Sequence, residues 1–247
     1  MSSTNGALNV IITGASSGIG EAIADRFRAS GANVFLTGRR ASSPTNMGNG
    51  ETYLSGDLAD EEFVIRVMRE AAEQLGPIDT LVVCHGLQAD GDILDMEKSK
   101  VAEVLEANLL SVHTVLKHAI PVVRNTGGQI VLVSSRFGLV GIPGQVAYSA
   151  AKGGLVMLGK GAALELANKN IRVNVAAPGL TVTPVIEAAF QNKEDPKAYY
   201  ARRAATIPLQ RLAQPEEVAE AIFFLGSPAS SYITGIVLPI DGGYTAA

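Results

Sequence analysis

Short aliphatic and β-branched runs alternate along the chain with longer amphipathic stretches. The short runs have the length of buried strands, and helical periodicity follows most of them. This alternation predicts an α/β fold in which a doubly wound parallel sheet is covered by helices on both faces. The seven predicted strands span residues 8–12, 34–37, 52–55, 80–83, 129–134, 172–177 and 237–240.

Four of the longer stretches are predicted as helices, over residues 19–30, 61–75, 98–125 and 148–170. Gly31 and Gly76 follow the first two and end them, because glycine adopts backbone geometry that other residues avoid. Residues 41–50 are rich in Ser, Asn and Gly and are predicted as a loop. Since no repeat or linker divides the sequence, we predict one domain over residues 1–247.

Composition and charge exclude several classes of protein and of binding partner. A chain of 247 residues, 47% hydrophobic and 18% charged, is not a disulfide mini-protein, a disordered tail or a membrane channel. Its net charge of −4 offers no general positive field, so neither nucleic acid nor a membrane is an expected partner. The single cysteine, Cys84, excludes an internal disulfide, and no metal site is expected. Residues 1–6 lack the features of a signal peptide, so the cytoplasm is the expected location.

A glycine-rich turn follows the first predicted strand and leads into a helix. The chain there reads Thr13-Gly14-Ala15-Ser16-Ser17-Gly18-Ile19-Gly20. Glycines let the backbone approach a pyrophosphate, whose charge is stabilised by the N–H groups and the positive dipole end of the helix. A tight turn without a ligand is the alternative, but the strand–turn–helix context favours dinucleotide binding. The candidate cofactor-binding residues here are Gly14, Ser16, Ser17, Gly18, Ile19 and Gly20.

The end of the second predicted strand bears on the choice of nucleotide. A carboxylate at this point binds a ribose 2′-hydroxyl, whereas a cation pairs with a 2′-phosphate. The sequence has no acid at the tip and instead carries Arg39 and Arg40, which favours NADP(H) over NAD(H). The alternative is a solvated surface pair of arginines, which would leave NAD(H) as the cofactor.

Three residues form a candidate catalytic group. Tyr148 and Lys152 are four residues apart, so they lie one turn from each other on one face of a helix. An ammonium group there favours the tyrosinate and is expected to lower the tyrosine pKa. Ser135 lies at the carboxyl end of a predicted strand, where ligands of open parallel sheets bind, and its hydroxyl is suited to hydrogen-bond a substrate carbonyl or alkoxide.

Together these motifs resemble those of the short-chain dehydrogenase/reductase family, close to its 3-oxoacyl carrier protein reductases and sugar or polyol dehydrogenases. The similarity runs from Thr13-Gly14 to Asp241-Gly242-Gly243, and a serine 13 residues before a Tyr-x-x-x-Lys pair is specific in combination. It implies a Rossmann-like, seven-stranded, NAD(P)-binding domain. It also implies an NADP(H)-dependent oxidoreductase that interconverts a ketone and a secondary alcohol by hydride transfer.

The resemblance also implies roles for individual residues. Tyr148 becomes the general acid/base, Ser135 orients the substrate, and Asn108 continues a proton relay. Lys152 lowers the tyrosine pKa and holds the nicotinamide ribose. The implied cofactor contacts beyond the glycine-rich turn and the arginines are Asp57, Leu58, Cys84, Gly86, Tyr148, Lys152, Pro178, Gly179, Thr181 and Thr183.

A lid and an oligomer are implied as well. Residues 183–207 resemble the substrate-binding lid of the family. In relatives, the two helices expected at 98–125 and 148–170 form a dimer interface and the C-terminal strand contributes to a tetramer, so we expect a homotetramer or a homodimer. Close packing against a second subunit would explain the glycines inside the second helix, namely Gly153, Gly154, Gly159 and Gly161.

Two features depart from the family pattern. Relatives have Asn-Asn-Ala-Gly after the fourth strand, but this chain has Val83-Cys84-His85-Gly86. We expect Cys84 to pack as a small apolar residue and His85 to replace a small residue at the sheet edge, neither with a catalytic role.

Arg136 follows Ser135 where small or apolar residues are common. An internal ion pair or a solvated arginine is the favoured interpretation, and pairing with an anionic substrate is the alternative.

Two further functions compete with the NADP(H)-dependent reaction. One is an NAD-dependent alcohol or polyol dehydrogenase that works oxidatively, and the choice depends on Arg39 and Arg40. The other is a regulatory protein that binds a dinucleotide without catalysis. The presence of Ser135, Tyr148 and Lys152 together with Asn108 argues against this second alternative.

Overall fold

One sheet of seven parallel strands forms the centre of the computed structural model, which describes residues 6–246 except 43, 45 and 49. The strands are β1 (Asn9–Thr13), β2 (Asn33–Gly38), β3 (Thr52–Ser55), β4 (Thr80–Val83), β5 (Gln129–Val133), β6 (Arg172–Pro178) and β7 (Val237–Ile240). They lie in the order β3-β2-β1-β4-β5-β6-β7. The order reverses between β1 and β4, so the carboxyl ends of these strands border the crevice where doubly wound sheets bind ligands.

Eight α-helices lie within the described residues. They are α1 (Gly18–Ala29), α2 (Glu61–Leu75), α3 (Lys98–Leu105), α4 (Ser111–Ala119), α5 (Val146–Leu166), α6 (Pro184–Gln191), α7 (Pro196–Ala204) and α8 (Pro215–Leu225). A π-helical turn over Glu106–Leu110 joins α3 to α4. Short 3-10 turns follow β5 at Arg136–Gly138 and α5 at Ala167–Lys169.

Apolar side chains cover both faces of the sheet. Ile11 belongs to a core shared with α2, α4 and α5, whereas its neighbour Ile12 belongs to a second core shared with α1 and α8. Because both faces are buried, the strands are apolar along most of their length, and this is what made them visible in the sequence. The predicted α/β fold with a doubly wound parallel sheet is confirmed.

The predicted helix over residues 98–125 is wrong in its extent and its regularity. It is divided by the π-helical turn, and its second part ends at Ala119. Pro121 has no N–H with which to continue the helical hydrogen bonds. The chain instead joins the segment before β4, where the backbone N–H of Ile78 donates to the Val122 carbonyl at 3.0 Å.

Two glycines of α5 pack against other residues of their own chain. A β-carbon at Gly159 would lie 2.5 Å from Val175 Cγ2, and one at Gly154 would lie 2.9 Å from Leu109 Cδ2. These positions therefore allow close packing against the sheet and the π-helical turn, so the explanation by a second subunit is wrong for both. A β-carbon at Gly161 would meet open space. The helix ends at Leu166 rather than at residue 170, because a 3-10 turn follows it.

Some expectations fall on residues outside the described ranges. Residues 1–5, in which a signal peptide was not expected, lie outside them, as do positions 43, 45 and 49 of the predicted loop. The described residues of that loop, between 41 and 50, carry neither helix nor strand. Among the described helices, none combines the length and apolar character needed to cross a bilayer, and this includes the 21-residue α5.

Candidate active site

Two adjoining cavities open at the carboxyl ends of the strands. One, of about 550 Å³, is bordered by residues that follow β1, β4, β5 and β6. The other, of about 610 Å³, is bordered by residues that follow β1, β2, β3 and β4. Gly14, Ser17 and Gly86 border both, so the two cavities form one elongated cleft.

All of the candidate site residues named from the sequence border this cleft. The first cavity is bordered by Gly18, Ile19, Gly20, Asn108, Ser135, Tyr148, Lys152, Pro178, Gly179, Thr181 and Thr183. The second is bordered by Ser16, Arg39, Arg40, Asp57 and Leu58, and Cys84 borders both. The structure thus brings together residues that are distant in sequence.

The glycine-rich turn has the backbone geometry that its sequence requires. Gly14 and Gly18 adopt positive φ angles of 68° and 59°, which side chains disfavour. A β-carbon at Gly14 would lie 2.7 Å from the His85 nitrogen, and one at Gly20 would overlap the Gly14 carbonyl. Ser17 precedes α1 without a side-chain hydrogen bond to it, so the first N–H groups of the helix face the cleft uncapped. This arrangement fits a pyrophosphate group.

Two arginines and three carboxylates border the second cavity. Arg39 and Arg40 are exposed at the end of β2, and neither forms an ion pair with a described residue. Asp57, after β3, borders the same cavity and accepts a hydrogen bond from the backbone N–H of Ala59 at 3.0 Å. Glu103 of α3 and Glu106 of the π-helical turn border it as well, so the two guanidinium groups face three carboxylates in this cavity.

Ser135, Tyr148 and Lys152 are brought together by the packing of the turn after β5 on α5. The Ser134 hydroxyl donates to the Lys152 carbonyl at 2.9 Å, and a β-carbon at Gly138 would lie 2.7 Å from that same oxygen. Ser135 begins this turn and forms a hydrogen bond with the Tyr148 side chain. The hydroxyl pair faces the first cavity, where an incoming carbonyl oxygen can contact both groups.

Lys152 holds a buried ammonium group beside this pair. Its side chain is 4% exposed, and its Nζ donates to the Val133 carbonyl at 3.1 Å. Burial lowers the pKa of Lys152 to about 8. The same Nζ lies 5.8 Å from the centre of the Tyr148 ring.

The expected effect of Lys152 on the Tyr148 pKa is wrong for this geometry. Burial raises the pKa of Tyr148 to about 12, and the hydrogen bond with Ser135 is what opposes the rise. The ammonium group is directed at the Val133 carbonyl instead of the tyrosine hydroxyl. Tyr148 is therefore fully protonated at neutral pH and stands ready as a proton donor.

Asn108 lies at the centre of the π-helical turn and is completely buried. Its Nδ2 donates to the carbonyls of Leu87 and Val104 at 2.8 and 2.9 Å, and its Oδ1 accepts from the Leu87 N–H at 3.2 Å. π-helical turns are frequent at functional sites. Asn108 fixes the loop after β4 against this turn, and the relay role expected of it stays a prediction.

A family model described as "Enoyl-(Acyl carrier protein) reductase" matches residues 14–245. The chain belongs to the short-chain dehydrogenase/reductase family. This family comprises oxidoreductases that act on alcohol and carbonyl groups and bind NAD(P), so the chain is an enzyme of this class. The predicted Rossmann-like fold is thereby confirmed together with the family.

Two curated short-chain dehydrogenase/reductases illustrate the range of similar enzymes. The chain is 37% identical over 244 residues to cis-4-hydroxycyclohexanecarboxylate dehydrogenase from Sinomonas cyclohexanicum, covering 96% of each chain. It is 36% identical over 241 residues to the 3-oxoacyl-(acyl-carrier-protein) reductase FabG of Thermotoga maritima, covering 94% of this chain and 96% of the relative. A solved structure of ElxO with NADP bound is similar at a TM-score of 0.89 and 29% identity, covering 98% of this chain and 100% of the other.

His85 departs from the short-chain dehydrogenase/reductase pattern and links three elements. Its Nδ1 lies 2.8 Å from the Thr13 hydroxyl at the end of β1, and its Nε2 lies 3.0 Å from the Ser111 hydroxyl at the start of α4. Thr13 also accepts the Cys84 N–H at 3.1 Å, so the same hydroxyl joins β1 to both Cys84 and His85. The expectation that His85 merely replaces a small residue is wrong, because the ring connects β1, the loop after β4 and α4.

Both departing side chains are held in their uncharged forms. Burial lowers the pKa of His85 to about 3, and the nearby charges of Lys152 and Arg39 contribute in the same direction. Burial also raises the pKa of the Cys84 thiol to about 11. Neither group titrates near neutrality, which supports the expectation that neither acts as an acid or base there.

Arg136 contradicts the favoured interpretation of the sequence. The residue is 2% exposed, so it is not a solvated arginine. No described carboxylate forms an ion pair with it, and its Nη1 has no hydrogen-bond partner within the described ranges. The side chain borders the first cavity next to Ser135.

The predicted lid consists of two short helices beside the cleft. Thr183 caps α6 by accepting from the Ile186 N–H at 3.4 Å, and a β-carbon at Gly18 would lie 3.1 Å from the Thr183 methyl group. No described residue of α6 is buried. Phe190 of α6 contacts Tyr199 of α7, with ring centres 4.9 Å apart. α6 and α7 thus contact each other, whereas Ala204 and Ile207 at the end of the segment are buried.

Proposed function

We propose that this protein is an NADP(H)-dependent oxidoreductase that interconverts a ketone and a secondary alcohol, with Tyr148 as the general acid/base. The observation that supports this most is the meeting of Tyr148, Ser135 and Lys152 in one cavity, beside the uncapped N-terminus of α1. The substrate is a small molecule that enters the same cavity.

Each of the catalytic residues has a separate role in the reaction. When bound, the dinucleotide supplies or accepts the hydride. In reduction, Ser135 holds the substrate oxygen by a hydrogen bond, and Tyr148 donates its hydroxyl proton to that oxygen. The Lys152 ammonium, with a pKa of about 8, is largely charged at neutral pH, and we assign it the remaining expected role, which is to hold the nicotinamide ribose.

The preference for NADP(H) is supported by Arg39 and Arg40. Both are exposed in the second cavity without an ion-pair partner among the described residues, and a guanidinium group suits a 2′-phosphate. The similar ElxO structure contains NADP. The remaining proposed contacts to the cofactor follow the list above, from the glycine-rich turn to Thr183.

An NAD-dependent dehydrogenase that works oxidatively is the second candidate. One observation favours it, since the Asp57 carboxylate borders the same cavity and is suited to accept hydrogen bonds from ribose hydroxyls. The two candidates share the proton-transfer residues and differ in the nucleotide end of the cleft. Comparing the affinities for NADPH and NADH decides between them.

Substitution of Tyr148 by Phe tests the proposed reaction. Tyr148→Phe removes the hydroxyl that exchanges the proton, and we expect turnover of carbonyl substrates to fall about 10²- to 10⁴-fold. NADPH binding, followed by the fluorescence of the nucleotide, should stay within about twofold of the wild type. The measurement is NADPH oxidation with a panel of ketones. A variant with near wild-type turnover would overturn the assignment of Tyr148.

We further propose that residues 183–207 form a substrate lid and that the enzyme is a homotetramer or a homodimer. The lid is supported by the lack of buried residues in α6 and by its place beside the first cavity. The oligomer is supported by apolar side chains exposed on the helices between β4 and β6. Leu110, Met157 and Leu164 are 52%, 63% and 83% exposed.

A further inference from the structure

Arg136 has a buried charge that forms no ion pair with a described residue. The side chain is 2% exposed, its Nη1 has no hydrogen-bond partner, and no described carboxylate pairs with it. Transfer of a charged group out of water is costly unless the group is paired. Burial lowers the pKa of Arg136 and the nearby charge of Arg203 acts in the same direction, whereas Tyr244 and the more distant Asp241 carboxylate raise it.

Aromatic rings hold the guanidinium group in place. Its Cζ lies 3.9 Å from the centre of the Tyr244 ring and 4.8 Å from that of Phe137. Such contacts stabilise a cation through the ring face. They do not satisfy Nη1, which stays without a hydrogen-bond acceptor. The group is thus fixed in position while part of its donor capacity is unused.

The cavity next to Arg136 concentrates positive charge. Arg203 of α7 and Lys193, between α6 and α7, border the same cavity. The one described Asp or Glu side chain that borders it is Asp90, which accepts a hydrogen bond from Gln145. This distribution contrasts with the whole chain, whose net charge is −4. A cleft lined by charges of one sign attracts ligands of the opposite sign.

We propose that Arg136 binds a carboxylate group of the substrate, with Arg203 strengthening the attraction. The substrates are then oxo acids and the corresponding hydroxy acids, with the carboxylate placed away from the reacting carbon. Arginine presents a planar set of donors that matches the two oxygens of a carboxylate. This inference rests on the proposed function, because the bound acid must present its carbonyl or alcohol group to Tyr148 and Ser135.

Arg136 lies in the wall formed by the turn after β5, whereas the N–H groups suited to a pyrophosphate lie at the start of α1. A phosphate of the dinucleotide is nevertheless a second possible anion for the same cavity. Loss of Arg136 has a different effect on binding for a substrate carboxylate and for a dinucleotide phosphate. A substrate anchor affects the affinity for acids, whereas a cofactor contact affects the affinity for NADPH.

The test is a binding measurement that does not depend on turnover. Cyclohexanecarboxylate, benzoate and hexanoate, and the neutral amide of each, are titrated by calorimetry into the protein saturated with NADP⁺. We expect the wild type to bind at least one acid about tenfold or more tightly than its amide, as a charge-assisted hydrogen bond provides. In Arg136→Met, which keeps the apolar stem, this preference should be lost while NADPH affinity stays within about twofold.

Two further variants make the result decisive. Arg202→Met removes a positive charge from α7 at a residue that does not border the cavity, and it should keep the preference for acids. Arg136→Lys keeps the charge but loses the planar donor pair, so it should retain only part of the preference. This variant also decides the question if Arg136→Met does not fold.

The opposing outcomes are distinct. Equal binding of acids and amides by the wild type overturns the proposal. A lower NADPH affinity in Arg136→Met with the preference for acids intact also overturns it, and assigns Arg136 to the cofactor. If acids are preferred but the ketone panel shows no NADPH oxidation, the proposed reaction fails while the carboxylate contact stands.

Discussion

Single arginines at the end of β2 decide the nucleotide that we expect to bind. Arg39→Ala and Arg40→Ala each remove a charge that lacks an ion-pair partner among the described residues. We expect the Kd for NADPH to rise about tenfold or more in at least one variant, because a charge-assisted contact is worth about 1.5–3 kcal/mol. The Kd for NADH should change little. Fluorescence titration with both nucleotides measures the difference.

The matched control is Arg69→Ala, on the outer surface of α2. Its side chain is 60% exposed and does not border the cleft, so both nucleotide affinities should stay at the wild-type level. If neither Arg39→Ala nor Arg40→Ala lowers the affinity for NADPH, the cofactor assignment reverts to NAD(H).

At the residue scale, the sequence was informative where function depends on local spacing. Tyr148 and Lys152 lie on one helix, so their separation alone predicts that they share a face. The burial of Arg136 could not be predicted in this way, because Tyr244 reaches it from the other end of the chain. The Tyr148 pKa was missed for the same reason, since desolvation depends on everything packed around the ring.

His85 links β1, α4 and the loop after β4 through its hydrogen bonds with Thr13 and Ser111. In the unfolded chain His85 is free to take up a proton near its ordinary pKa of 6.5, whereas the folded pKa is about 3. The unfolded state therefore binds more protons between these values, so stability falls as pH drops below about 6.5. We expect the fall in Tm between pH 7 and pH 5 to be smaller in His85→Asn than in the wild type.

His113→Asn serves as the control for this comparison, because His113 is exposed on the same helix that Ser111 begins. Its Tm should fall with pH as the wild type does. At pH 7, His85→Asn should itself lose about 1–3 kcal/mol of stability, since buried hydroxyl groups lose a partner. An unchanged pH response in His85→Asn would show that the ring titrates equally in both states.

At the scale of elements, strands and the first helices were predictable because burial on both sheet faces leaves continuous apolar runs. The division of the segment after residue 98 into two helices and a π-helical turn could not be predicted from the sequence. Pro121 in the sequence marks an end near Ala119, but the π-helical turn surrounds Asn108, whose partners lie in the loop after β4 and in α3. Contacts between distant parts of the chain leave no periodic signal in the sequence.

At the scale of the whole molecule, the exposed apolar side chains of α5 mark the surface that we expect a second subunit to cover. We expect Met157→Glu and Leu164→Glu to shift the protein from an oligomer to a smaller species, because a charge is poorly tolerated in a buried interface. Light scattering coupled to size-exclusion chromatography measures the mass. Phe224→Glu, on α8 at the opposite face of the sheet, is the control and should keep the wild-type mass. A monomeric wild type would disprove the proposed oligomer.

The ring that covers Arg136 belongs to a part of the chain that takes no role in proton transfer. Tyr244 follows β7, whereas Ser135 and Tyr148 come from β5 and α5. Mutation at position 244 therefore changes the support of Arg136 in the wall of the cleft without removing a hydroxyl that takes part in proton transfer. Selection can alter which molecules this enzyme accepts by acting on the segment after β7, so substrate range and chemistry are free to evolve separately.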